Sequence, residues 1–447
     1  MNIALITLGC PKNLVDAEVM LGLLAEAGHA LVPDPDGADV AIVNTCSFIA
    51  SAVDESTGVI RACLELKRAG RLGRVVVAGC MPQRYRESLF EMLPGVDGVV
   101  GCSDVDRIVT AISRLDSDAS VAVIHEPVFL YDHTTPRVLG TPRHLAYVKI
   151  SEGCDNRCAY CMIPSLRGRL RSRDPDSVRR EVEELVSIGV REINLIAQDT
   201  TAYGTDIAPQ SGLPELLAAL DGTGADWIRI LYTHPAHLTD AIIESVASCR
   251  SVVPYLDIPI QHVTDHILDA MGRRTDGSTI RTLLERVRQS VPGIFIRSSV
   301  IVGFPGENEA DYEELRAFVA GGAIDHLGVF EFSPEHGTRA AALAGQVDRT
   351  TAAERARDLI RLTESLAVER GRQLVGRRLP VLVDETGDAE LVGRHPGQAW
   401  ELDGVVRAPA HRPVAPGEIH TVEVTGPNGY DLVGRLISGP GHDGSNG

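Results

Sequence analysis

Short apolar runs alternate with amphipathic stretches through the first quarter of the chain. Residues 2–10 (NIALITLGC), 39–46 (DVAIVNTC), 74–80 (RVVVAGC) and 95–102 (GVDGVVGC) read as buried strands. A helical pattern at 16–27 and a second one after the second run separate them. Strands that are apolar on both faces belong inside a parallel sheet, and the intervening helices supply the crossovers such pairing requires. Residues 1–120 are therefore expected to form a doubly wound α/β sheet. Over 121–140 the periodicity lapses and Pro127 and Pro136 enter, which reads as a linker.

A second strand–helix series begins at 144–150 (HLAYVKI). Later strands fall at 192–198, 227–233, 255–261, 295–305 and 326–334, with helical stretches such as 177–188 between them and a long charged one at 352–372. Six such units over 141–372 suit a partial (β/α) barrel, whose ligands sit at the carboxyl ends of the strands. Over 373–438 the runs become short and separated by Gly and Pro, the pattern of a small all-β barrel. Residues 439–447 (GPGHDGSNG) read as a disordered tail.

Composition narrows the chemistry. None of the apolar stretches approaches the ~20 residues needed to span a membrane, and residues 1–10 read as a buried strand rather than a signal peptide. A cytoplasmic protein is expected. Nine cysteines in such a protein of 447 residues favour metal or redox chemistry over disulfides. The net charge of −18 disfavours a polyanionic partner and suits a basic one. Only three of the 43 basic residues are lysines (Lys12, Lys67 and Lys149), a bias that reads as coding preference.

The segment SEGCDNRCAYCMIP (151–164) places Cys154, Cys158 and Cys161 on one loop directly after an apolar strand. Three thiolates can hold three irons of a four-iron cluster and leave the fourth open to a substrate. A structural zinc ion would want four closed ligands from paired spacings, which this loop lacks. In the first unit, Cys10, Cys46 and Cys80 each end a strand, 34 to 36 residues apart. Equivalent strand ends lie along one edge of a parallel sheet, so these thiols are expected to converge. Cys102 also follows a strand and is a neighbour or a substitute. Cys63 and Cys249 read as structural.

Residues 141–173 resemble the core of the radical S-adenosylmethionine superfamily, and more narrowly its methylthiotransferase branch. GCPKN, NTCSF and AGCMPQR resemble that branch's N-terminal domain. The resemblance implies two [4Fe-4S] clusters, one on Cys154, Cys158 and Cys161 and one on Cys10, Cys46 and Cys80. It also implies S-adenosylmethionine as radical source and methyl donor, and a reducing electron donor such as a flavodoxin. Tyr160 would lie near the adenine. Gln198 and Asp199, in LIAQDTTAYG, and Ser299, before the turn at Gly303 and Gly306, would contact the cofactor; helix caps or turn positions are the plain alternatives.

Other polar positions carry more than one reading. Asp257, Gln261 and His262 sit at a further strand end, and Pro334 and Gly337 shape a loop resembling that after the family's last barrel strand. Arg167, Arg169, Arg171 and Arg173 either contact a carboxylate or phosphate or form a solvated face. Asn13 and Asn44 either orient substrate or cap turns.

The family has two main branches, both ending in the small barrel called TRAM. One thiomethylates an adenosine of transfer RNA. The other, RimO-type, thiomethylates the β-carbon of an aspartate in small-subunit ribosomal protein number twelve. GCPKNLVDAE and TPRHLAYVKISEGC resemble the second, where the first would read closer to GCQMN. Seven Arg against ten Asp and Glu over 371–447 make an acidic barrel, which suits a basic protein better than RNA. The expectation is a methylthiotransferase of a ribosomal protein. A transfer-RNA enzyme and a non-catalytic two-cluster electron carrier or sulfur scaffold are the alternatives.

Overall fold

A computed structural model describes residues 1–117, 120–208, 211–387 and 389–437. The tail expected over 439–447 lies outside the described residues.

The first sheet contains β1 (Asn2–Thr7), β2 (Ala30–Val32), β3 (Val40–Thr45), β4 (Arg74–Gly79), β5 (Gly98–Gly101) and β6 (Val121–Val123). Its order is β2-β1-β3-β4-β5-β6, all parallel. Every residue of β3 is buried, as its unbroken apolar run requires. β6 falls inside the segment read as a linker, and three residues are too few to show a period. Helix α1 (Pro11–Glu26) starts five residues earlier than its apolar pattern. Proline at its first position fits, because the missing N–H there has no helical acceptor.

The second sheet is parallel in the order β14-β13-β12-β11-β10-β7, an open barrel as expected. It starts with β7 (Leu145–Lys149). The two-residue strands β8 (Ser151–Glu152) and β9 (Arg171–Ser172) pair antiparallel beside it. β10 (Glu192–Ile196), β11 (Trp227–Ile230), β12 (Val252–Asp257), β13 (Phe295–Val302) and β14 (His326–Glu331) complete it. The outer faces pack on helices in one apolar core that includes Val148, Ile193, Ile228, Leu256 and Val300.

β15 (Arg378–Thr386), β16 (Glu390–Arg394), β17 (Val406–Pro409), β18 (Ile419–Asn428) and β19 (Asp431–Leu436) close into a barrel. The loop between β16 and β17 docks on the inner face of the open barrel. Fully buried Glu192 lies 2.8 Å from Arg229 and 2.6 Å from Arg394, and Tyr255 Oη donates to Asp403 Oδ2 at 2.7 Å. Asp384 lies 2.9 Å from His144 and 2.8 Å from Arg394, so Asp384 and Asp403 spend their charge inside rather than on solvent. No helix among the described residues is long and apolar enough to cross a membrane.

Candidate functional site

β1, β3 and β4 are neighbours in register, Thr7 opposite Asn44 and Thr45 opposite Gly79, so their carboxyl ends carry Cys10, Cys46 and Cys80 to one edge. Gly9 and Gly79 both adopt φ near +91°, where side chains are disfavoured. A Cβ on Gly9 would stand 2.7 Å from that of Cys46, so glycine is what lets the two cysteine turns approach. The two asparagines left open above brace these turns. Asn13 Nδ2 donates to the carbonyls of Leu8 (3.1 Å) and Thr45 (2.9 Å), and Asn44 Nδ2 donates to that of Asn13 (2.7 Å). Cys10 is exposed, Cys46 half-buried and Cys80 buried. Burial, then the neighbouring Cys80 and Cys10, push Cys46 up to about 12. Cys102 is buried within hydrogen-bonding reach of Cys80 and, with Arg167, holds the Cys80 thiol below its usual range. The fourth cysteine is thus a direct neighbour of the trio.

The second trio sits on the loop that leaves β8. Gly153 (φ +79°) lies against the Arg169 carbonyl, a contact that a side chain would fill. Backbone N–H groups of Asn156 and Ile163 donate to the sulfurs of Cys154 and Cys161, each at 3.4 Å. Arg273 Nη1 donates to Cys158 Sγ at 3.6 Å. Burial first, then Asp199 and Cys158, push Cys154 up to about 11; burial, then Cys158 and Cys154, push Cys161 up to about 12. Thiolates crowded this closely need a bound cation to stay ionised, and N–H donors aimed at sulfur stabilise them once metal is present. All nine cysteines are free. Each trio therefore offers a donor set of the kind that holds an iron–sulfur cluster.

The two trios are adjacent. Met162, directly after Cys161, packs with Cys80, Cys102 and Leu166 in one apolar cluster. Beside it runs a buried ion network. Arg167, 2% exposed, donates to Asn13 Oδ1 (2.6 Å), Asp16 Oδ2 (2.7 Å), Glu152 Oε2 (3.2 Å) and Cys80 Sγ (3.7 Å). Lys149 Nζ donates to Asp16 Oδ1 and Glu152 Oε2, both at 2.5 Å. Against the burial that would raise it, Arg167 and Lys149 pull Glu152 down to about 2. The arginine run is thus divided. Arg167 and Arg173 are buried in ion pairs, Arg171 donates to the Arg169 carbonyl, and Arg169 is exposed beside Asp155.

Three of the four residues expected near a cofactor gather at the second trio. Tyr160 packs beside Ala159, Ile267 and Met271, and Arg273 Nη1 donates to its hydroxyl at 3.4 Å. Gln198 Nε2 donates to Glu152 at 2.5 Å, while its buried Oε1 has no partner. Asp199 Oδ2 accepts from Asn156 Nδ2 (2.7 Å) and lies 2.8 Å from His237 Nδ1. Ser299 lies on β13, where its carbonyl accepts from the Gln261 N–H at 2.8 Å. Of the strand-end residues, Asp257 accepts from Arg297 and from the backbone of Tyr232. Four residues of this region carried no signal strong enough to single them out: Asn156, Arg273, Tyr232 and Lys12. Lys12 Nζ stands 2.7 Å from the centre of the Tyr232 ring, so the first unit reaches into the mouth of the barrel.

Three family descriptions match the chain: uncharacterized protein family UPF0004 over residues 2–101, the radical SAM superfamily over 148–319 and the TRAM domain over 375–437. The ribosomal protein uS12 methylthiotransferase RimO of Solibacter usitatus is 43% identical over 446 residues, covering 98% of this chain and 95% of its own. The protein of the same name from Anaeromyxobacter sp. (strain Fw109-5) is 46% identical over 437 residues, covering 97% and 92%. Among solved structures, the radical S-adenosylmethionine methyltransferase TsrM from Kitasatospora setae shares the fold. Its TM-score is 0.57 at 16% identity, covering 88% of this chain and 78% of that one.

Proposed function

The chain belongs to the RimO family of ribosomal protein uS12 methylthiotransferases, and from that premise we propose that it replaces a hydrogen on the β-carbon of an aspartate in uS12 with a methylthio group. The observation that carries this reading is the meeting of two cysteine trios across one contact, with Met162, next to Cys161, packed with Cys80 of the first.

In this reading Cys154, Cys158 and Cys161 hold one [4Fe-4S] cluster and Cys10, Cys46 and Cys80 a second. Clusters held there would provide one-electron reducing chemistry at the second trio and transferable sulfur at the first. The protein's own groups do the rest. Gln198, with its free buried Oε1, and Asp199 would hold polar groups of S-adenosylmethionine, Tyr160 would lie near its adenine, and Ser299 would contact it from β13. Arg167, Asp16, Glu152 and Lys149 fix the first unit against the barrel, so that a substrate carbon placed between the trios would be within reach of both.

The same reading divides the chain into units at 1–120, 141–372 and 373–438 and places it in the cytoplasm with a flavodoxin-like reductant. Transfer RNA is disfavoured by the acidity of the last unit. Anaerobic reduction of the iron-loaded protein with S-adenosylmethionine is expected to yield 5′-deoxyadenosine, read by chromatography. Its absence from fully loaded protein would favour an electron carrier or sulfur scaffold instead.

A further inference from the structure

Among the described residues, the buried charged side chains around the two cysteine trios make hydrogen bonds or ion pairs, with one exception. Lys149 and Arg167 share Asp16 and Glu152. Arg297 Nη1 donates to Asp257 at 3.0 Å, and the Tyr232 N–H takes the other oxygen at 2.9 Å. Arg273 donates to Cys158 and to the Pro259 carbonyl. The exception is Lys12. It is 7% exposed, and among the described residues its Nζ makes no hydrogen bond or ion pair. Its described contact is the face of Tyr232, itself held at φ +62° by the turn that follows β11.

An ammonium withdrawn from water loses much of its hydration, and an aromatic face returns only part of it. Burying it is reasonable where an anion arrives to complete the pair. The position says which anion. Lys12 lies two residues after Cys10 and over a side chain at the carboxyl end of a barrel strand, between the trio that is to give sulfur and the barrel mouth. The carboxylates of this region, Asp257 and Glu152, are already taken. In an aspartate, the β-carbon is bonded directly to the carboxylate carbon, so a group that grips the carboxylate also fixes the carbon to be modified. A compact ammonium with three rotatable donors can do this beside a crowded ring, where a planar guanidinium needs more room.

We propose that Lys12 is the residue that recognises the carboxylate of the target aspartate, and so sets the enzyme's preference for an acidic side chain. The inference rests on the uS12 reading and deepens it.

The test compares iron-loaded wild type with Lys12→Met and Lys12→Arg, titrating each with uS12 and with uS12 carrying Asn at the target position, in the presence of S-adenosylmethionine. Wild type is expected to bind the Asp form at least ~10-fold more tightly than the Asn form, the effect of removing one partner of a buried charge pair. Lys12→Met is expected to bind both forms alike, and Lys12→Arg to keep part of the preference. Equal weakening toward both forms, or loss of iron from the first trio with the preference intact, would overturn the assignment and make Lys12 a counter-ion of the metal site. A weaker hold on S-adenosylmethionine alone would overturn it in favour of that cofactor's carboxylate. A wild-type enzyme that leaves uS12 unmodified would instead overturn the functional reading beneath it.

Discussion

Cys154→Ala is expected to lose roughly half of the bound iron and all 5′-deoxyadenosine formation, while Cys10→Ala is expected to lose the other half and all methylthio product. The two trios stand on separate scaffolds. Cys10, Cys46 and Cys80 end neighbouring strands of the first sheet, whereas Cys154, Cys158 and Cys161 lie within one loop of the barrel. Loss of one sulfur therefore leaves the other set in place. Anaerobic reconstitution followed by iron, sulfide and electron paramagnetic resonance analysis reads the outcome. Cys80→Ala adds a finer expectation: Cys102 packs with Cys80 in one apolar cluster and offers a replacement thiol, so this variant should keep more iron than Cys10→Ala. Retention of full iron by both Cys10→Ala and Cys154→Ala would contradict the assignment of ligands.

Arg167→Ala is expected to destabilise the protein by about 3–5 kcal/mol, the cost of breaking a buried ion network by removing one member. Arg167 is the only guanidinium among the described residues that donates to both Asp16 of the first unit and Glu152 of the barrel. Its removal leaves Lys149 facing two buried carboxylates and frees Asn13, which braces the loops of Cys10 and Cys46. Urea denaturation of the iron-free protein isolates the stability effect from metal binding. Arg167→Lys should lose less, because an ammonium keeps the charge but not the fork that reaches Asn13 and Asp16 together. An unchanged midpoint in Arg167→Ala would mean that the network is not what holds the two units together.

The strand–helix rhythm made both parallel sheets legible, because buried strands and crossover helices leave strong periodic signals. The convergence of Cys10, Cys46 and Cys80 followed from one topological rule, that parallel strands end along one edge. What stayed hidden involves residues far apart in the chain. Arg167 and Arg173 alternate with Arg169 like a solvated face, yet their partners Asp16, Glu152 and Glu181 bury them. Glu192 and Arg394 are 202 positions apart, and no local pattern announces that the last barrel docks through them. That docking also tempers the charge reading of the third unit, since Asp384 and Asp403 are engaged inside. Lys12 shows in the sequence only as part of a composition bias, because its significance lies in lacking a partner, which a sequence does not display.

The most direct test of the account is tandem mass spectrometry of uS12 after anaerobic incubation with the iron-loaded enzyme, S-adenosylmethionine, sulfide and a reductant. A gain of about 46 Da on one aspartate, a methylthio group in place of hydrogen, is the result expected. Unmodified uS12, beside a transfer RNA that acquires the group under the same conditions, would contradict it.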